Sequence, residues 1–188
     1  MKIIASILTG GLVLTACATA QTPATVAQQP VQPGSAVAVK VLPEESQRLL
    51  AAHNAERTRV GVPPLVWDDR LAASAAAYGP VIARIDRLQH SPRAGRPGVS
   101  ENLMRIGRGP YTPEQMVGQW VAERQWFKPG VFPDNSTTGD WLDTSHYTQL
   151  IWPATTKVGC AVHSAPRWTY LICHYSPKGN RDGVRLPR

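Results

Sequence analysis

A chain of 188 residues with 43% hydrophobic residues and six Trp carries enough apolar side chain to build one folded domain. Its formal charge of +7 favours anionic partners such as lipid headgroups, cell-envelope polymers or glycans. Nucleic acid is excluded as a partner class, because no nucleic-acid-reading motif is present and the N-terminus directs the chain to export.

The first residues, MKIIASILTGGLVLTAC, place one Lys ahead of an uncharged, mostly apolar run from Ile3 to Leu14. That run is too short for a permanent membrane span and reads as a signal peptide over residues 1–17. Two processing sites compete at its end. Leu14-Thr15-Ala16-Cys17 resembles the lipobox of bacterial lipoproteins, in which Cys17 would become a lipid-modified N-terminus. Ala18-Thr19-Ala20 fits a simple secretory cleavage before Gln21. The lipobox is favoured because it explains an otherwise purposeless cysteine, and it would hold the protein on the cell envelope through acyl chains.

Residues 18–43 contain four Pro, one charge and no aromatic residue, a composition that cannot bury enough surface to fold and reads as a linker. The folded domain is expected over residues 44–188. It opens with a helix in EESQRLLAAHNAERTRVG, with acids in the first turn and Arg57 and Arg59 before Gly61. A second helix is predicted from Asp68 or Asp69 through LAASAAAYGPVIARI, bent or broken at Gly79-Pro80. A third begins at the capping box Thr112-Pro113-Glu114-Gln115. Along it, Met116, Trp120, Glu123 and Phe127 share one face, so a carboxylate points where an apolar residue is expected and needs a partner.

A short helix is predicted over residues 145–152. Beyond it, TKVGCAVHS and WTYLICHYS form an antiparallel hairpin turning at Ala165-Pro166-Arg167. With Cys17 assigned to lipid, Cys160 and Cys173 remain as an even pair in an exported chain and are expected to form a disulfide. Closing that loop would stabilise by about 3 kcal/mol. Helices followed by a hairpin point to an α+β fold.

The segments HYTQLIW (residues 146–152) and ICHYSPKGN (residues 172–180) resemble the signature segments of the CAP superfamily, also called SCP or PR-1-like. AHNAER, PPLVWDDRLAASAAAYG, QHSP, SENL and WVAERQW follow the family's order, so the resemblance spans residues 47–182. It implies a three-layer α-β-α sandwich with a mainly antiparallel sheet. It also implies a cleft tetrad, here His90, Glu101, Glu123 and His146, in which the two histidines hold zinc or another divalent ion in some members. Cys160 and Cys173 match a disulfide position of plant members. Two positions depart from the pattern, with Ser100 and Ser145 standing where the family usually has Gly.

Three functions follow from the resemblance. The first is an envelope-anchored module binding an apolar or lipidic ligand beside Trp126, Phe127, Phe132 and Trp141, with a divalent metal on His90 and His146. The second is a metal-dependent hydrolase using Glu101 or Glu123 as general base, which the sequence supports less because no oxyanion stabiliser is identifiable. The third is a non-catalytic module whose basic surface docks a protein or glycan. Other polar residues read as structural: His53 and Asn54 as packing and hydrogen-bonding groups, His163 and His174 as surface or structural. Ser91 is a poor nucleophile candidate beside His90, and Asn135-Ser136-Thr137 reads as an ordinary loop rather than a glycosylation site.

Overall fold

The computed structural model describes residues 42–186. The signal peptide, Cys17, the alternative cleavage after Ala20 and the linker up to residue 41 lie outside the described residues.

Helix α1 runs Glu44–Arg59 with Glu44 and Glu45 in its first turn and Arg57 and Arg59 in its last, each set opposite in sign to the helix end it occupies. Its buried residues Leu49, His53, Glu56 and Arg57 fall on one face. Gly61 then takes φ +72, the left-handed conformation that ends the helix cleanly. A two-residue strand β1 (Val66–Trp67) leads into α2 (Asp69–Ile85), whose Asp68 cap accepts from the Arg70 and Leu71 amides.

Of the bend or break expected at Gly79-Pro80, the break does not occur, and α2 continues through Pro80. Packing supplies the reason. A Cβ on Gly79 would lie 2.8 Å from the His163 ring, so the glycine lets helix and sheet approach while Pro80 faces solvent. Contact with the sheet outweighs the hydrogen bond that proline forfeits.

Strand β2 (Ser100–Gly107) precedes α3 (Pro113–Ala122), which carries the complete capping box on Thr112 and Gln115. The helix tightens into a 3₁₀ turn over Glu123–Trp126, so Phe127 lies beyond the helical stripe assigned to it. A second 3₁₀ turn, Trp141–Thr144, runs into α4 (Ser145–Leu150), and the hairpin strands are β3 (Lys157–Ser164) and β4 (Trp168–Ser176).

The sheet order is β1-β3-β4-β2, antiparallel except for the β1–β3 pair. Helix α2 covers one face through Ala75, Tyr78 and Ile82, which pack on Leu103, Tyr170 and Ile172. On the other face, α1, α3 and α4 pack Leu49, Met116, Trp120, Tyr147 and Leu150 on Val158, Leu171 and Tyr175. The result is the α-β-α sandwich. Cys160 and Cys173 stand directly opposite in the hairpin register and are disulfide-bonded. Among the described residues no helix is long and apolar enough to cross a membrane.

His53 is a packing residue, as its position suggested. Its Nδ1–H donates to the Leu49 carbonyl at 2.7 Å and its Nε2 accepts from the Tyr175 hydroxyl at 2.9 Å, so both nitrogens are used in the neutral ring. Burial pushes its pKa down to about 4; the Leu49 bond opposes this and the nearby Arg57 charge adds to it. The depressed value means the unfolded chain binds the proton first, so this contribution is complete above about pH 6.5 and disappears as pH falls through about 4. It amounts to about 3 kcal/mol. Urea midpoints should therefore fall from pH 7 to pH 4.5 more steeply in the unaltered protein than in H53Q. Equal slopes would remove His53 as the cause.

Candidate functional site

The site is built at the head of β2, where strand alternation sends successive side chains to opposite faces. Ser100 and Asn102 turn toward α4: the Ser100 hydroxyl donates to Gln149 Oε1 at 2.5 Å and Asn102 Nδ2 donates to the His146 carbonyl at 3.0 Å. Glu101 turns toward the α2 side. Neither Ser100 nor Ser145 has positive φ, so the two departures from glycine impose no backbone strain.

Each tetrad histidine is paired with one tetrad acid. His90 Nδ1 lies 2.7 Å from Glu101 Oε1, and His146 Nδ1 lies 2.5 Å from Glu123 Oε1. Because a carboxylate only accepts, Nδ1 carries the proton in both rings, and in the neutral tautomer Nε2 is the nitrogen with the lone pair. The His146 ring is further held by stacking on Trp120, with centroids 6.0 Å apart and planes 11° from parallel.

Glu123 faces inward as its helical position predicts, and its partners explain why. Its Oε2 accepts from the His146 and Tyr147 amides, each at 3.0 Å, so one carboxylate satisfies the opening amides of α4 and fixes the His146 ring. The 3₁₀ turn that begins at Glu123 delivers the carboxylate there.

Glu101 is the more enclosed acid, its side chain having no solvent exposure. It accepts from His90, from the Ser91 amide at 2.9 Å, from the Ser91 hydroxyl at 2.6 Å and from His174 Nε2 at 2.9 Å. Arg96 adds charge at 3.7 Å. Burial pushes the Glu101 pKa up, but the His174, His90 and Ser91 bonds outweigh it and hold the carboxyl well below the usual range. Ser91 gives its proton to this carboxylate and accepts from Arg96 Nε at 2.8 Å, which is not a nucleophile's arrangement.

His174 was read from sequence as surface or structural, and the structure gives it a place behind the site. It is 1% exposed and stands opposite Glu101 in the β2–β4 register. The signal was the period of β4: residues 170, 172 and 174 share one face, but linking that face to Glu101 requires knowing that β2 is a strand. His163 packs on Gly79 and is structural.

The four residues thus form two separate hydrogen-bonded pairs, His90–Glu101 and Glu123–His146. Among the described residues, His53, Cys160 and Cys173 form the only His/Cys/Asp/Glu group of three or more with ligand atoms within 4.8 Å of one another. Its thiols are spent on the disulfide and its imidazole on hydrogen bonds. The donors the tetrad offers a divalent ion are the two Nε2 atoms of His90 and His146. Their chemistry fits a metal, because an imidazole whose Nδ1–H is held by a carboxylate is oriented and made more basic at Nε2.

Beside the second pair, the aromatic loop divides in two. Phe132 packs edge-on to Trp152 and Trp141, and Phe127 to Tyr147, as core. Trp126 and Trp141 are each 41% exposed and Leu142 56%, on the two 3₁₀ turns that flank Glu123 and His146.

The fold has its counterpart among known proteins. The model of the cysteine-rich secretory protein family, CAP, matches residues 50–175, and the chain belongs to that family. A pathogenesis-related protein of PR-1 type from Sambucus nigra is 36% identical over 151 residues, covering 79% of this chain and 86% of the relative. Pathogenesis-related protein 1A of Nicotiana tabacum is 38% identical over 139 residues, covering 73% and 77%. The crystal structure of NaASP2 with Zn2+ superposes with a TM-score of 0.64 at 22% identity over 78% of this chain and 86% of that one, a likeness of fold.

Proposed function

We propose that this is an exported CAP-domain protein that binds an apolar or lipidic ligand beside the Glu123–His146 pair and holds a divalent metal, zinc by preference, on His90 and His146. The observation that carries the reading is that both imidazoles have Nδ1 fixed by a carboxylate, which leaves Nε2 as the nitrogen for a ligand. Exposed Trp126, Trp141 and Leu142 next to one pair supply the apolar surface. The Cys160–Cys173 disulfide and the signal-like N-terminus support export, with Cys17 as a lipid anchor on the envelope. When bound, the metal would supply Lewis-acid character and order the cleft.

Binding is favoured over hydrolysis by the state of the carboxylates. A general base needs an oxygen free to take a proton, whereas Glu101 accepts from His90, His174 and both donors of Ser91, and Glu123 from two amides and His146. These acids orient imidazoles.

Calorimetric titration of zinc into the compact unit from Lys40 onward is expected to give stoichiometric binding. That binding should be lost in His90→Ala and in His146→Ala, and weakened about 10-fold or more in Glu123→Gln, which removes the carboxylate that orients His146. Zinc binding unchanged in both alanine variants would refute the metal site. Chelator-sensitive cleavage of peptides or cell-wall material, lost in Glu123→Gln with zinc retained, would move the reading to the hydrolase.

A further inference from the structure

The far end of the sheet carries a second constellation, unrelated to the tetrad. The β2–β4 ladder that begins beside Glu101 ends at Gly107 opposite Trp168, about 20 Å away at strand rise. There a shallow cleft is lined by Ala83, Asp86, Ala165, Pro166, Arg167 and Trp168, between the end of α2 and the hairpin turn.

Three arginines stand in or next to its lining: Arg105, Arg108 and Arg167. Arg105 lies over the Trp168 ring at 4.5 Å and donates to the Asp86 carbonyl at 2.8 Å. Arg167 pairs with the Asp86 carboxylate and the Arg108 amide donates to the Arg167 carbonyl at 2.9 Å, whereas the Arg87 guanidinium is committed to Gln89 Oε1. Asp86 is the one acid among the lining residues, and Arg167 already neutralises it. The Trp168 indole N–H is buried without a partner.

We infer that this cleft is a binding site for an anionic polysaccharide. Guanidinium groups are planar and fork onto sulfate, phosphate or carboxylate substituents, and three arginines at one cleft with a single acid among its lining residues suit a polymer with repeated charges better than a single ion. Alanine, proline and indole walls give a sugar ring an apolar surface to lie against. A bilayer fits less well. The exposed tryptophans that would enter a membrane interface belong to the 3₁₀ turns beside Glu123 and His146, and the large exposed apolar side chains nearest in sequence here are the aliphatic Val81 and Leu88.

The test is biolayer interferometry of the full chain in neutral detergent against immobilised dextran sulfate and neutral dextran of the same length, at physiological salt. Dextran sulfate should bind and dextran should not. R105Q/R167Q should weaken binding about 10-fold or more, whereas R70Q/R181Q, which removes the same charge elsewhere, should change it less than about 2-fold. The single variant R167Q, which leaves the Arg105–Trp168 contact in place, should give an intermediate loss with an unchanged melting temperature and so guards against misfolding of the double variant. Equal losses in the two double variants would reduce the effect to net charge and overturn the site. So would equal binding to dextran, or binding to phosphatidylglycerol vesicles with the same arginine dependence and none to dextran sulfate.

Discussion

Replacing Arg57 with methionine is expected to lower the unfolding free energy by about 4 kcal/mol, measured by urea denaturation of the compact unit. Arg57 has no solvent exposure, yet its guanidinium meets no carboxylate in its hydrogen bonding. Nε donates to the Pro63 carbonyl at 2.7 Å, Nη1 to those of Leu150 and Trp152 at 2.9 and 3.0 Å, and Nη2 to that of Thr155 at 2.9 Å. Burial pushes its pKa down to about 10, still far enough above neutrality to keep the charge. Methionine preserves much of the volume but leaves those carbonyls buried without their donor, and an orphaned buried acceptor costs about 1–3 kcal/mol. Lysine keeps the charge but offers it from a single point, so R57K should recover only part of the loss. A fall under about 1.5 kcal/mol in R57M would mean that the carbonyls find other partners.

The consequence for the site follows from where those carbonyls lie. Leu150 closes α4, and Trp152 and Thr155 belong to the segment that runs from α4 into β3. Arg57 therefore ties α1 to the end of the helix whose first turn carries His146. Glu123 holds the opening of that helix and Arg57 its exit, which fixes the imidazole from both ends.

Local chemistry made much of this architecture legible. The Thr112 capping box, the Asp68 cap, the dipole-ordered charges of α1 and the hairpin with its facing cysteines are all short-range signals, and each appears where it is expected. The missing strand was β2. Over Ser100–Gly107 Asn102 and Met104 face the helical layer while Leu103 faces α2, so both faces are buried and no polar-apolar alternation survives to be read. β1, two residues long, offers no period at all.

The tetrad came from resemblance, and its pairing had no sequence signal. His90 and Glu101 meet across a loop, whereas Glu123 and His146 meet across the long connection between α3 and α4. Glu123 alone announced itself, as a charge on an apolar stripe. His174 was hidden because its importance depends on the β2–β4 register, a long-range fact that no window of sequence contains.

That dependence on close approach is sharpest at Gly159, where substitution by alanine is expected to cost more than the about 1–3 kcal/mol of an ordinary overpacked core. A Cβ there would overlap the Ala72 amide nitrogen and the Asp68 carbonyl oxygen and lie 2.7 Å from the Leu71 carbonyl carbon. All three are backbone atoms of the first turn of α2, so no side chain can swing aside; the helix itself must lift from β3. Lifting it would loosen Asp68, whose carboxylate caps the helix and pairs with Lys157 at 3.2 Å. Gly159 also stands opposite His174, so the displaced helix would open the sheet face on which His174 meets Glu101. Gly118 supplies the contrast. It lies inside α3 with nothing within 4 Å of the added methyl, so G118A should stabilise by about 0.5–1 kcal/mol through helix propensity alone. Thermal unfolding of G159A and G118A should therefore move the melting temperature in opposite directions. G159A melting with the unaltered protein would show that α2 tolerates displacement from the sheet, and that the strand head carrying Glu101 does not depend on the contact.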